Sequence, residues 1–363
     1  MKPSPITGKP MRLVQEERSL QFRKEEFPVI YHYYLCEDSG ETFETDDLLH
    51  LNLQQVYNQY RERHRLPFPD EIAQIRERYG VSAAKMSEIL GFGANGYRNY
   101  EAGEVPSISN ARLIQLAADP KEFRQLVELS DDLKDRERKN ILARIEILET
   151  AQPESLPPLL EQYLFEELRS GVATGYRRPD LNKFCAMTAY FARQIEPFKV
   201  KMCKLLFYAD FSHFKKYGQS ISGTRYIAID MGPVPNNFDG LFNEARRSGA
   251  IHIVYRENNN WERVGEQFLA GENATFSVLS EEETETLNQV VKRFEKTSTA
   301  EIIGLSHREK GWLDCREEKG VISYRYGFLL QTDQPFQYLT PGIFQKNLSN
   351  PYLFPLGHFY NSR

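Results

Sequence analysis

Apolar positions recur at helical spacing along most of this chain and alternate at strand spacing in only a few short stretches. Ile72 and Ile75 share a face before Gly80, Met86, Ile89 and Leu90 share the next, and Ala111, Leu113, Ile114 and Leu116 make a further one. Ser82 is placed to cap the Met86 helix, Gly91-Phe92-Gly93 to turn the chain, and Gly103 to end the helix that follows. In that following helix Tyr97 and Tyr100 fall three apart and face inward, leaving Ala94, Asn95, Arg98 and Asn99 turned outward. Arg76 stands where it can pair with Glu101. The spacing therefore predicts a domain of four or five short helices.

Upstream, the run Val29-Ile30-Tyr31-His32-Tyr33-Tyr34-Leu35 alternates as a strand does, Leu51 to Arg65 reads as helix, and Pro67-Phe68-Pro69-Asp70 makes the turn into the helical domain. Phe123 to Leu148 reads as one long charged helix with a partial apolar face of Leu126, Leu129, Leu133, Ile141, Ile145 and Leu148. That face suits either a dimer helix or a linker helix packed on its own domain. Helix-breaking residues from Thr150 to Pro158 mark one boundary, and Gly171 to Pro179 a second.

In the second half, Leu205, Leu206, Tyr208 and Ala209 continue a face begun by Val200 and Met202, and Gly218 closes that helix. Tyr226, Ala228 and Asp230 alternate with Ile227 and Ile229 in a short strand. Gly232-Pro233-Val234-Pro235 reads as a rigid turn before another helix. Ser306-His307-Arg308-Glu309 with Trp312 adds a helix end, and Gly320 to Tyr324 an extended piece. The fold class is mainly α with a small α+β part, divided as a ribbon-like β region (1–65), a five-helix domain (66–130), a helical linker (131–178), a mainly helical module (179–330) and an aromatic, proline-rich tail (331–363). The tail carries Phe336, Tyr338, Phe344, Tyr352, Phe354, Phe359 and Tyr360, and is open to two readings. One is an arm across the preceding module, the other a segment captured by a partner's groove.

Composition limits what such a chain does. Its 363 residues are enough for two or three domains, and 40% hydrophobic content is enough for real cores. No apolar run approaches the ~20 residues that span a bilayer, so no membrane association is expected. The opening residues lack a signal peptide's apolar stretch, and four widely spaced cysteines make no disulfide framework, which together suggest the cytoplasm. A net charge of −5 means that any nucleic-acid affinity is local.

Asparagine bonds an adenine edge and arginine a guanine or a phosphate, so Asn95, Arg98 and Asn99 are candidate base readers in a major groove. Lys85 and Arg112 are candidate phosphate contacts. Asp210 and His213, three apart on one helix face, together with Lys204, His307 and Glu309, offer titratable groups for acid-base work. Yet there is no phosphate-cradling Gly loop, nucleophile elbow or paired-His zinc signature. No catalytic residue, cofactor or metal is expected, and Asp210 and His213 read as a structural hydrogen bond or cap. Cys185, Cys203 and Cys315 read as small buried hydrophobes.

Glu71 to Phe123, with its Gly-rich turn, Asn95, an aromatic and Tyr100-Glu101-Ala102-Gly103, resembles the Xre-like helix-turn-helix of antitoxins, most closely the MqsA type. The resemblance implies base reading by Asn95 and Asn99, although that family often has Arg at the second position. The preceding region resembles the MqsA zinc ribbon with most ligands missing: Ser4 and Thr7 stand in the first knuckle, and Cys36 and Ser39 in the second. Hydroxyls are poor substitutes for zinc-binding thiolates, so a metal-free ribbon is expected, without recruitment of His32 or His50. The stretch from about Leu181 to Leu330, with its Leu-Leu-x-Tyr-Ala-Asp helix and Gly-Pro-Val-Pro segment, resembles the Panacea, or SocA-like, domain.

This second resemblance implies an antitoxin that neutralises a cognate protein toxin by direct binding and, through the helix-turn-helix, represses its operon. It makes Tyr208, His213, Gly232, Pro233, Val234 and Pro235 candidates for toxin contact. Operator DNA, bound by a homodimer on a two-fold site, is the other expected partner. A transcription regulator with a ligand- or partner-sensing module, and an adaptor working with a chaperone or protease, are the alternatives. Elemental analysis of purified protein is expected to give far less than one zinc per chain; stoichiometric zinc would overturn the metal-free ribbon.

Overall fold

The computed structural model describes residues 2–150, 158–258 and 263–331. The tail after Gln331 and most of the Thr150–Pro158 break lie outside these residues. The chain opens with strands β1 (Arg12–Phe22), β2 (Glu25–Leu35) and β3 (Thr42–Phe43), followed by helices α1 (Asp46–His64), α2 (Pro69–Arg78), α3 (Ala83–Ile89), α4 (Gly96–Glu101), α5 (Ile108–Leu116), α6 (Pro120–Leu129), α7 (Asp135–Thr150) and α8 (Pro158–Phe165). Then come α9 (Leu181–Ile195), α10 (Lys199–Tyr217), the β4 (Tyr226–Ile229) and β5 (Gly232–Pro235) hairpin, α11 (Phe238–Arg247), the β6 (Ile251–Asn258) and β7 (Arg263–Ala270) hairpin, α12 (Glu281–Phe294), α13 (Thr299–Ser306) and α14 (Lys310–Cys315). The protein is mainly helical with small antiparallel sheets.

These elements form two compact units, one of residues 1–55 and 162–363 and the other of residues 56–161. This division differs from the five segments read along the sequence. The ribbon-like strands belong with the large C-terminal module, because Arg325 donates to the Pro28 carbonyl and the His32 ring meets Phe328 edge-on at 5.1 Å. Gly171 to Pro179 is no boundary either. Thr174 and Tyr176 are buried, and Gly175 (φ 62°) lies so close to Ser220 and Tyr324 that a Cβ there would sit 2.5 Å from the serine Cβ.

In the larger unit, β1 and β2 pair antiparallel from Arg12↔Leu35 to Phe22↔Glu25, and β3 adds to the end of β2. α1 starts at Asp46, five residues before the apolar pattern predicts, and its first half supplies amides that finish β2. Gln55 accepts from the Ile30 amide (2.9 Å) and donates to the Ile30 carbonyl (2.8 Å), while Asn52 does the same for His32 at 2.9 and 3.0 Å. Two side-chain amides thus stand in for a neighbouring strand, leaving none of these four buried backbone groups unpaired.

α10 runs through the centre of this unit and is buried along most of its length, ending at Gly218 in the left-handed region (φ 70°). Phe207 packs on Phe211 at 4.3 Å, Phe211 stacks on Tyr324 at 4.4 Å, and Tyr208 stacks on Phe294 at 4.7 Å. The Gly-Pro-Val-Pro segment is a strand rather than a turn: β5 pairs with β4 from Ile229↔Gly232 to Tyr226↔Pro235, and Asp230-Met231 make the turn. Two prolines fit because this is a two-stranded ladder, where the missing donors break no central pairing. At the start of α12, Glu283 is buried under Lys183, which reaches both carboxylate oxygens at 2.5 and 2.7 Å, and Arg177 at 3.1 Å. Glu283 also completes a capping box with Ser280 at the start of α12.

The smaller unit has its own core, built from Ile72, Tyr79, Met86, Tyr97, Ile114, Phe123, Val127 and their neighbours. Tyr97 is fully buried, its hydroxyl donates to the Ile72 carbonyl (2.8 Å) and its amide to Ser87 Oγ (3.0 Å). Tyr79 stacks on Phe123 at 4.0 Å. The stretch from Phe123 to Leu148 is two helices, not one, because the chain turns extended at Ser130. α7 folds back on α6 and places Ile141 and Ile145 in the core, with Leu133 from the turn before it, so it is an integral part of the unit rather than a connector. Leu129, by contrast, points to solvent at 77% exposure.

Removing one partner of a buried, multiply bonded ion pair leaves an uncompensated charge. Glu283→Ala, which strands Lys183 and Arg177, is expected to destabilise the larger unit by ~3–5 kcal/mol, read by denaturant unfolding. A change below about 1 kcal/mol, the range of surface pairs, would show that the cluster contributes little.

Candidate functional site

In the smaller unit, the α3–turn–α4 pair is set by its core contacts. Ser82 caps α3 by accepting from the Lys85 amide at 3.2 Å, and Phe92 in the turn packs edge-on against Tyr100 at 5.7 Å. Arg76 and Glu101 pair at 2.5 Å, which ties α2 to the end of α4. With Tyr97 and Tyr100 inward, Asn95, Arg98 and Asn99 are exposed together. α4 begins at Gly96, so Asn95 is the residue that precedes it and Ala94 belongs to the turn, one step earlier than the tyrosine spacing places them. The Gly-rich turn consumes more chain than periodicity alone shows.

The two phosphate candidates fare differently. Lys85 Nζ is held by Glu88 at 2.5 Å and Glu137 at 3.1 Å, so its charge is already matched and it makes a poor phosphate contact. Glu137 lies on α7, fifty-two positions away, which no local pattern reveals. Arg112 is exposed and donates to Gln115 at 2.7 Å on the same helix.

In the larger unit, the residues that carry the Panacea resemblance are buried. Tyr208 donates to Glu309 at 3.3 Å, and His213 Nδ1 lies 3.0 Å from the Thr286 hydroxyl. Gly232, Pro233, Val234 and Pro235 are all buried, with Lys204 Nζ donating to the Pro233 carbonyl at 2.9 Å. A Cβ on Gly232 (φ 94°) would lie 2.6 Å from Ser306 Oγ and 2.9 Å from Lys204 Nζ. These positions shape the module from within and present no exposed surface of their own. They were conspicuous in the sequence because glycine and proline mark backbone constraint, not exposure.

Nor do Asp210 and His213 form a pair. Asp210 is fully buried and accepts from the Ile221 amide (2.8 Å), the Ser222 amide (2.8 Å), the Ser222 hydroxyl (2.6 Å) and the Tyr226 hydroxyl (2.8 Å). Burial pushes its carboxyl up, and these donors oppose that shift. Burial pushes His213 well below its ordinary value, so it is neutral. Lys204 is lowered to about 8 by burial and Glu309 is raised to about 7 by burial, against bonds from the Gln331 amide and the Tyr208 hydroxyl. His307 stacks flat on Trp312 at 4.1 Å. Cys185 and Cys203 are buried thiols pushed up to about 12, while Cys315 is half-buried at about 11.

The Ser4–Gly8 and Cys36–Gly40 segments lie together. Gly8 donates to the Ser4 carbonyl at 2.9 Å and Gly40 to the Cys36 carbonyl at 2.8 Å, giving two matching turns, and Thr7 Oγ1 meets Cys36 Sγ at 3.3 Å. Bonds from Ser39, Thr7 and Ser4 lower the Cys36 thiol to about 6. A single thiol among three hydroxyls does not fit structural zinc, and no group of three His, Cys, Asp or Glu side chains placed to hold a metal occurs among the described residues.

Against this geometry, residues 202–313 match the family described as Antitoxin SocA-like, Panacea domain. The matched stretch runs from the first turn of α10 through both C-terminal hairpins and α12 into α14. It takes in Lys204, Tyr208, Asp210, His213, the β4–β5 hairpin and Glu309, and it does not reach α3 and α4. No curated protein and no solved structure matches the chain. Among the described residues no helix is long and apolar enough to cross a membrane.

The Glu309 carboxyl gives a test of this buried site. Its folded value, about 7, lies above the ordinary 4.5, so it favours folding below about pH 4.5 and that contribution is lost as pH rises to about 7. Glu309→Gln is expected to flatten the fall in Tm across this window relative to the parent, by at most ~3 kcal/mol in stability. Parallel pH profiles from calorimetry would show instead that Glu309 ionises as in the unfolded chain.

Proposed function

We propose that this protein is the antitoxin of a toxin-antitoxin pair: the larger unit binds and neutralises a cognate protein toxin, and the smaller unit represses the operon that encodes both. The observation that carries the reading is the match of residues 202–313 to an antitoxin-like family. It acts by stoichiometric binding rather than catalysis. Consistent with that, the buried carboxylate at its centre is engaged by four structural donors, and Lys204, Tyr208 and His213 are each bonded within the core. Toxin contact falls to the surface that α10 and the β4–β5 hairpin support from below, not to those residues.

The DNA-reading half of the proposal rests on a short helix, α4, that offers Asn95, Arg98 and Asn99 side by side to solvent, with Arg112 on α5 as a further cation. Asn and Arg are the side chains that read adenine and guanine edges in a major groove. One copy of so small a unit makes few phosphate contacts, so repression calls for two copies on a two-fold site.

The two halves separate experimentally. Asn95, Arg98 and Asn99 are exposed, so changing all three to Ala is expected to shift stability by under about 1 kcal/mol. It should weaken binding to the chain's own promoter at least ~100-fold in a mobility-shift assay. The same variant should still rescue growth when co-expressed with the toxic product of an adjacent reading frame. Unchanged promoter binding would remove α4 from the DNA interface, and the lack of any neighbouring product that the parent protein neutralises would overturn the antitoxin reading.

A further inference from the structure

The larger unit contains a cleft of about 370 Å³, a volume within the range of small-molecule sites. One wall comes from β1, β2 and the start of α1, the other from α10 and α12. Charge in it runs against that of the whole protein. Lys2, Lys215, Lys216 and Arg293 line it against a single carboxylate, Asp47, in a chain of net charge −5. A concave surface lined by one sign of charge raises the local concentration of ions of the other sign. Two of these cations lie against rings: Arg293 is 5.6 Å from the Phe294 ring and Lys2 is 6.0 Å from that of Tyr34. Lys215 Nζ donates to the Leu330 carbonyl at 3.1 Å.

The rest of the lining mixes apolar and aromatic side chains, Leu13, Leu48, Leu51, Val290, Tyr34 and Phe294, with the neutral polar ones of Gln15, Thr45, Ser212 and Gln289. Within it is a polar group that the fold does not satisfy. His32 is 2% exposed, and Gln15 Nε2 lies 2.9 Å from its Nε2. With the amide donating, Nε2 is the acceptor and the ring proton resides on Nδ1. His32 Nδ1 is buried and meets no acceptor at hydrogen-bond geometry among the described residues, although the Asn52 side chain and the Ile30 backbone lie near the ring. Burial lowers the ring to about 4, against the nearby Asn52 side chain and Ile30 backbone, so it is a neutral donor at physiological pH, and a buried donor held off good geometry gains from a better-placed acceptor.

We propose that this cleft binds a nucleoside phosphate. The cations take the phosphate, Tyr34 and the aliphatic side chains take the base, and His32 donates to an acceptor on it. A simple inorganic anion would leave the apolar wall and His32 unused, and an uncharged apolar ligand would leave the cations unused. Because the cleft is walled by the N-terminal sheet on one side and by α10 and α12 on the other, its ligand joins the ribbon-like strands to the helices that make up most of the unit.

Titration calorimetry of the full chain with AMP, GMP and UMP, and with inorganic phosphate, tests this directly and independently of whether any toxin is neutralised. The expected result is saturable one-to-one binding of at least one nucleotide, at least ~10-fold tighter than phosphate. Lys216 and Arg293 are exposed, so the K216E/R293E double variant should keep its circular dichroism spectrum while losing at least ~10-fold in affinity, since charge-assisted bonds to phosphate are the strong ones. No saturation by any of the three nucleotides at millimolar concentration would overturn the proposal. Equal binding by the folded double variant, or phosphate binding as tight as the nucleotide, would overturn it too.

Discussion

The larger unit depends on one buried carboxylate. Asp210 sits in the middle of α10 with no exposure, and a charge so placed is tolerable only when its lone pairs are filled. Its four donors come from Ile221, Ser222 and Tyr226, so satisfying it fixes the whole connection from the end of α10 into β4. Gly223 (φ 71°) then passes so close to the Arg177–Pro179 backbone that a Cβ would come within 2.8 Å of the Arg178 carbonyl oxygen. Six residues earlier in the helix, Lys204 holds β5 by its Pro233 carbonyl, so a single helix positions both strands of the hairpin. A helix that is polar at a few interior positions and apolar elsewhere organises the fold through those polar positions, because apolar contacts are non-directional and hydrogen bonds are not.

The N-terminal strands show the same economy. Two side-chain amides from α1 complete the edge of β2, and a pair of glycine-closed turns brings Thr7 and Cys36 together. Here the strands pack on the C-terminal module through Arg325 and Phe328. The cleft proposed to take a nucleotide is lined by the same strands, where Gln15 meets His32 Nε2 and His32 Nδ1 has no acceptor at hydrogen-bond geometry among the described residues.

Much of the smaller unit was legible from the chain alone. The Ser82 cap, the inward Tyr97 and Tyr100, the exposed Asn95, Arg98 and Asn99 and the Arg76–Glu101 pair all follow from local spacing, because short helices on a small core have one face each to bury. The break at Ser130 was not legible, since the apolar positions on either side keep helical spacing through it. Nor was the pairing of Lys85 with Glu137, which exists only because α7 folds back.

For the larger unit the balance is different. Sequence by itself determined the central helix, its glycine stop, the strand after it and the segment that matches an antitoxin family, because apolar periodicity and glycine placement act over a few residues. Tertiary structure alone decided that Gly232 to Pro235 is a buried strand, that Tyr208 and His213 face inward to Glu309 and Thr286, and that strands from the first forty residues share a core with residues beyond 320. The physical reason is that burial and hydrogen-bond partnership depend on which surfaces meet, and surfaces far apart in the chain carry no local mark of meeting.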